Sequence, residues 1–251
     1  MKHLTILTGA SRGMGLSVAG QLCTPAAVLL CISRKESSQL QLRAREKGCA
    51  LTQWQADLDD PIPVAARLQA WLSAQDPGRL ASATLINNAG MVGRMGPLDP
   101  VDPRTLATTL RVNLEAPMQL SAAFLTATRG WTVPRKILNI SSGLGRRAIA
   151  GGAMYCAAKA GMDHFSRCVA LDEAGHAHGV RIVSLAPGII DTDMQADLRA
   201  SDPSRFPGRE GFVQAKESGS LTSPDAAAQR LLAYLARADF GSQPVADVRD
   251  A

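Results

Sequence analysis

His3-Leu4-Thr5-Ile6-Leu7-Thr8-Gly9-Ala10-Ser11-Arg12-Gly13-Met14-Gly15 is an apolar run that stops abruptly at a glycine-rich turn. Residues 3–8 are too few for a helix, rich in β-branched and aliphatic side chains, and read as a buried strand. Apolar positions then recur at helical spacing over 14–23. Glycines at 9, 13 and 15 permit a tight turn, close approach of a phosphate to the backbone, and close packing of the helix on the strand. A helix starting there aims its first unpaired N–H groups and its positive end at any anion held in the turn.

Outward from this unit the same alternation continues. Strands are expected at 3–8, 26–32, 51–56, 83–87, 135–140, 180–185 and, weakly, 245–248. Helices are expected at 14–23, 37–47, 62–74, 104–127, 152–174 and 224–238. Fully apolar strands alternating with helices mean a parallel sheet covered on both faces. The expected fold is therefore α/β, a single Rossmann-type doubly wound sheet of about seven strands spanning 1–251. One segment, 193–222, is rich in Asp, Ser, Pro and Gly and reads as irregular. A loop of that length following a strand end is expected to cover a substrate.

Composition excludes several classes. The chain is 46% apolar and 20% charged, with a net charge of +5. The basic residues are scattered, so a nucleic-acid partner is not expected. Cys23, Cys31, Cys49, Cys156 and Cys168 form no CxxC pair, and an odd number suits a reducing compartment better than a disulfide framework. The first apolar run is too short for a secretion signal and no run reaches membrane-spanning length, so a cytoplasmic protein is expected. His176 and His178 lack acidic or cysteine partners nearby, and no metal site is expected.

The end of the second strand bears on cofactor choice. Sites for NAD place an acid there to hold the ribose 2′-hydroxyl. Here stand Cys31-Ile32-Ser33-Arg34-Lys35, with no acid before Glu36. A guanidinium matches a 2′-phosphate in charge and geometry, so Arg34 and Lys35 point to NADPH, and Arg12 is placed to approach the same phosphate. Further on, Tyr155-Cys156-Ala157-Ala158-Lys159 puts a phenol and an ammonium on one helix face. A nearby cation favours the phenolate and is expected to draw the phenol below its ordinary value of ~10. Proton transfer works best from a group whose pKa lies near the working pH.

These motifs keep company in a recognisable order. Thr8-Gly9-x-x-x-Gly13-x-Gly15 opens the chain, and Asn87-Asn88-Ala89-Gly90 closes the fourth strand. Asn113 interrupts a helical stretch, Ser142 precedes Tyr155 by thirteen residues, and Pro187-Gly188 with Thr192 follows a later strand. In this order and spacing the chain resembles the short-chain dehydrogenase/reductase family along essentially its whole length. The resemblance implies Tyr155 as general acid, Lys159 as its support and a partner of the nicotinamide ribose, and Ser142 as a donor to the developing alkoxide. Asn113 would distort its helix and hold a water leading from Lys159. A nucleotide would lie along Gly9, Ser11, Arg12, Gly13, Met14, Gly15, Arg34 and Lys35. It would continue past Asp57 and Leu58 at the adenine, Asn88, Ala89 and Gly90, then Tyr155, Lys159, Pro187, Gly188, Ile190 and Thr192.

Within the family the second half is most similar to the sepiapterin and benzil reductases, in Tyr155–Ala160, Val169–Glu173, Leu185–Gln195 and the tail Val245–Asp250. That similarity implies a ketone substrate with a second carbonyl beside it, either a pterin side chain or an aromatic diketone. Ser142, Tyr155 and Gly188 would touch it. Asp247 would hold the amino-pyrimidine of a pterin, or stand as a solvated tail residue. Met194, Leu198, Phe206 and Phe212 would form an apolar lid. The alternatives are a non-catalytic NADPH-binding regulatory protein and an NAD-dependent alcohol dehydrogenase. The apolar faces of 104–127 and 152–174 suggest a homodimer or homotetramer.

Overall fold

A computed structural model describes residues 1–250. Seven parallel strands form one sheet: β1 (Lys2–Thr8), β2 (Ala27–Ser33), β3 (Ala50–Gln55), β4 (Leu80–Asn87), β5 (Arg135–Ile140), β6 (Arg181–Ala186) and β7 (Val245–Asp247). Their order is β3-β2-β1-β4-β5-β6-β7. The chain thus winds one way through β3 and then crosses to the other side of β1. That reversal leaves a crevice outside the carboxyl ends of β1 and β4, the position where ligands settle in such sheets.

Strand residues alternate strictly between two cores, as a pleat of period two requires. Ile6, Leu30, Leu85, Ile137 and Ile182 face one helical layer, which includes α3 (Pro61–Ser73), α5 (Ala116–Thr128) and α6 (Ala153–Ala174). Leu7, Leu29, Ile86, Leu138 and Val183 face the other, built from α1 (Gly13–Leu22), α2 (Ser38–Glu46) and α9 (Pro224–Ala236). Leu68 and Phe124 seal the first layer, Val18 and Leu231 the second.

Two expected elements differ. The helix expected over 104–127 is broken into α4 (Pro103–Leu110), one π turn (Arg111–Glu115) and α5. The Asn113 side chain donates to the Thr109 carbonyl at 2.8 Å, an acceptor that an unbroken ladder reserves for the Asn113 backbone N–H. Ala116 N–H reaches back five residues to Arg111, and Pro117 has no N–H to restore the register. The segment 193–222, expected to be irregular, instead holds α7 (Asp193–Ala200) and α8 (Arg209–Glu217). Pro203, Pro207 and Gly208 punctuate the interval between them, and these helices are too short for the polar composition to reveal their period.

Candidate active site

The glycine turn is a packing device as well as a flexible one. Gly9 has φ +70°, and a Cβ there would lie 2.9 Å from the Ala89 Cα. A Cβ on Gly15 would stand 2.1 Å from the Gly9 carbonyl oxygen and 2.5 Å from the Asn88 side-chain nitrogen. Gly15→Ala is therefore expected to push α1 off the turn and weaken nucleotide binding by at least about tenfold. Fluorescence titration with NADPH checks this, and an affinity within twofold of wild type would show that the turn relaxes freely.

The turn is stitched to the end of β4. Thr8 Oγ1 accepts from the N–H groups of Asn88 and Ala89 at 3.0 and 2.9 Å, and the Asn88 amide donates to the Thr8 and Gly9 carbonyls. Ser33, closing β2, accepts from Ala10 N–H at 2.8 Å. Thr8 opens the glycine motif and Ser33 ends the second strand, but neither hydrogen bond is visible in the sequence, because each acts on backbone brought near only by the sheet. No side chain caps the start of α1, so its first N–H groups stay open to an anion.

Arg34 and Lys35 project into solvent at the end of β2, and neither is in an ion pair among the described residues. Arg12 differs from expectation: its guanidinium pairs with Asp193 at 2.6 Å, tying the glycine turn to α7. Asp57 is exposed, while Leu58 joins the core beside Trp54. These features fit a nicotinamide dinucleotide: an uncapped helix start, and a turn in which Gly9 and Gly15 leave no room for a Cβ.

Across the crevice, Tyr155, Ser142 and Lys159 come together at the ends of β5 and α6. The Ser142 hydroxyl, which accepts from Leu144 N–H at 3.2 Å, lies close enough to the phenol to favour its ionised form. Lys159 Nζ lies 5.6 Å from the Tyr155 ring centre and donates to the Ile140 carbonyl at 2.8 Å. Asn113 is fully buried and exchanges hydrogen bonds with the Met91 backbone, donating to its carbonyl at 2.8 Å and accepting from its N–H at 3.2 Å. A Cβ on Gly90 would fall 3.0 Å from Asn113 Oδ1 and 3.7 Å from Lys159 Nζ, so glycine there keeps the two side chains in one space.

Burial acts on both titrating groups. It pushes the Tyr155 phenol up to about 12, opposed by the Ser142 hydroxyl, and brings Lys159 down to about 8, opposed by the Asp163 carboxylate. The phenol therefore stands above its ordinary value, not below it as the nearby cation suggested. Desolvation of a phenolate outweighs an ammonium whose own bond goes to Ile140. A phenol in this state holds its proton until an acceptor arrives.

Tyr155 also belongs to a third apolar cluster with Val92, Met95, Leu198 and Phe206, bordered by Met194 and Phe212. Phe206 and Phe212 stack with ring centres 5.8 Å apart. Met194, Leu198, Phe206 and Phe212, expected to form a lid, lie in or against the same apolar cluster as Tyr155, on α7, α8 and the turn between them. Gly188, with φ +82°, starts the loop that leads into α7, and Thr192 closes it with its hydroxyl 3.4 Å from the Ile190 carbonyl. Asp247 does not offer a free carboxylate. Arg249 donates to its two oxygens at 2.8 and 2.6 Å, which holds the carboxyl below its usual range.

Comparison with known proteins is consistent along the chain. The family described as short chain dehydrogenase matches residues 3–203. A benzil reductase ((S)-benzoin forming) of Bacillus cereus is 34% identical over 235 residues, covering 94% of each chain. A sepiapterin reductase of Meriones unguiculatus is 32% identical over 257 residues, covering 98% of this chain and 95% of its own. The solved 3-oxoacyl-[acyl-carrier protein] reductase of Brucella melitensis, in complex with NAD, superposes with a TM-score of 0.81 at 23% identity. The match covers 99% of this chain and 96% of that one, and it supports the fold.

Proposed function

This chain belongs to the short-chain dehydrogenase/reductase family, and from that premise we propose that it is an NADPH-dependent carbonyl reductase acting on a ketone with an adjacent carbonyl. The observation that carries the reading is the buried phenol of Tyr155, with Ser142 near it, Lys159 Nζ 5.6 Å from its ring centre, and an apolar cluster of Leu198 and Phe206 around it. The nucleotide would be held by the glycine turn and the open start of α1, with its 2′-phosphate on Arg34 and Lys35. Bound there, NADPH supplies the hydride.

The chain's own residues do the rest. Ser142 donates to the carbonyl oxygen and stabilises the negative charge that grows on it. Tyr155 gives its proton to the same oxygen, and the Lys159 ammonium stabilises the phenolate left behind. Asn113 braces the wall behind Lys159 through the Met91 backbone. Phe206, Phe212, Met194 and Leu198 exclude water and suit an apolar, aryl-bearing substrate. With both Asp247 oxygens engaged by Arg249, an aromatic diketone meets less competition here than a pterin, whose amino-pyrimidine would have to displace that fork.

The test is to follow NADPH and NADH oxidation by absorbance with benzil and sepiapterin in parallel. Turnover with NADPH and benzil is expected. No oxidation of either nucleotide with any dicarbonyl would point instead to a binding protein on this fold. Met118 on α5 and Leu171 on α6 are exposed, 42% and 77% respectively, and a homo-oligomer formed through those helices is part of the proposal. Light scattering at micromolar concentration should give a mass of at least two chains, and a monomer would refute it. No helix among the described residues is long and apolar enough to cross a membrane.

A further inference from the structure

Asp163 has no part in the reaction as described so far, yet it is 2% exposed and carries a carboxylate. It sits one helical turn beyond Lys159 on α6, on the same face. Ser141 Oγ and Ser184 Oγ each donate to its Oδ1 at 2.6 Å, and Arg146 Nε donates to Oδ2 at 3.1 Å. Four elements therefore meet on one side chain: the end of β5, the middle of β6, the loop that follows Ser142, and the helix that carries Tyr155. Arg146 extends the tie by donating to the Ala246 carbonyl of β7 at 2.8 Å. A Cβ on Gly145 would fall 3.0 Å from the Lys159 carbonyl and 3.1 Å from Asp163 Oδ2, so the loop lies flat against this pair.

The arrangement is costly unless the charge is used. A buried carboxylate needs several kcal/mol of compensation, roughly, and two serine hydroxyls with one half-exposed arginine supply only part of it. The remaining neighbour is Lys159, itself buried, with a single hydrogen bond to the Ile140 carbonyl. The groups facing Lys159 from other elements are uncharged: Asn113 from the π turn and the Gly90 backbone after β4. Ser184 of β6 is bonded to Asp163, and in the tail Asp247 and Arg249 engage each other. Arg146 pairs with Asp163 itself.

We propose that Asp163 is a positioning residue for the reaction: its carboxylate supplies the counter-charge that keeps Lys159 an ammonium under Tyr155, and it pins the strand end next to Ser142. This rests on Tyr155 and Lys159 being the reacting pair. Asp163 opposes the burial that lowers Lys159, and without it the ammonium gives up its proton at lower pH. Activity that needs the ammonium is lost as pH rises through that point, so removing Asp163 moves the alkaline fall downward.

The full-length D163N variant is compared with wild type over about pH 6 to 10, following kcat and KM for benzil with NADPH, and NADPH affinity by fluorescence. The alkaline fall in kcat should begin about one pH unit lower, with kcat down about fivefold near pH 8 and approaching tenfold above about pH 9, and KM within about threefold. D163E should restore the wild-type position. The double variant S141A/S184A removes two donors and keeps the charge, so its fall should stay at the wild-type pH. A D163N profile that coincides with wild type overturns the proposal. So does an S141A/S184A profile displaced by a full unit, and that arm decides the matter if D163N shows no cooperative thermal transition. If wild type oxidises no NADPH with any dicarbonyl, the proposed reaction fails, and the pH at which NADPH affinity falls becomes the readout. An unmoved fall in D163N then overturns the role of Asp163.

Discussion

Tyr155→Phe is expected to lower kcat/KM for dicarbonyl reduction by about 10²- to 10⁴-fold, the usual worth of a positioned general acid. The ring fills the same space among Val92, Met95, Leu198 and Phe206, so the thermal midpoint should hardly change. Only the hydroxyl and its proton are lost. Burial keeps the wild-type phenol protonated up to about 12, while the Lys159 ammonium is lost above about 8. Reduction by the wild type should therefore be fastest below about pH 8 and decline above it, with Lys159 setting the limb. Stopped-flow or steady-state absorbance of NADPH gives both results. A Tyr155→Phe enzyme within threefold of wild type would remove the phenol from the mechanism.

Arg34→Asp is expected to reverse the nucleotide preference. The wild-type residue is exposed, has no ion pair among the described residues and sits where β2 ends beside the glycine turn. Charge-assisted hydrogen bonds to a phosphate are worth ~1.5–3 kcal/mol, or about 10- to 150-fold in affinity. A carboxylate in its place adds repulsion of the 2′-phosphate and offers an acceptor to a 2′-hydroxyl. NADPH affinity should drop by at least about 10²-fold while NADH affinity rises. Arg12→Ala should cost less, because Asp193 already holds that guanidinium. Calorimetric titration of the two nucleotides against each variant is the measurement, and an unchanged ratio for Arg34→Asp would sink the NADPH assignment.

Much of the architecture was legible before any coordinates. The seven strands fall within about three residues of their expected ends, and the central ones do so because each is a short apolar run. Legibility failed where tertiary context overrides local pattern. A 24-residue helical period over 104–127 gives no sign of a π turn except a single asparagine, and the turn forms because Asn113 can reach both Thr109 and Met91. The helices α7 and α8 were hidden by their polar composition and brevity, and they are held by Phe206 and Phe212 packing toward Tyr155.

The site divides in the same way. Glycine spacing, the Tyr155 and Lys159 pair, Ser142 and the absence of an acid before Glu36 are one-dimensional signals, readable because each chemistry demands a residue type at a fixed remove. The sequence alone thereby determined a doubly wound sheet, and it pointed to a nucleotide turn and a tyrosine-based site. Only the tertiary structure decided that Arg12 is spent on Asp193, that Asp247 is filled by Arg249, and that Asp163 holds Ser141, just past β5, together with Ser184 of β6. Such pairings depend on which side chains a folded sheet brings within 3 Å, and desolvation of a phenol or an ammonium depends on everything packed around it, so neither is written in the order of residues.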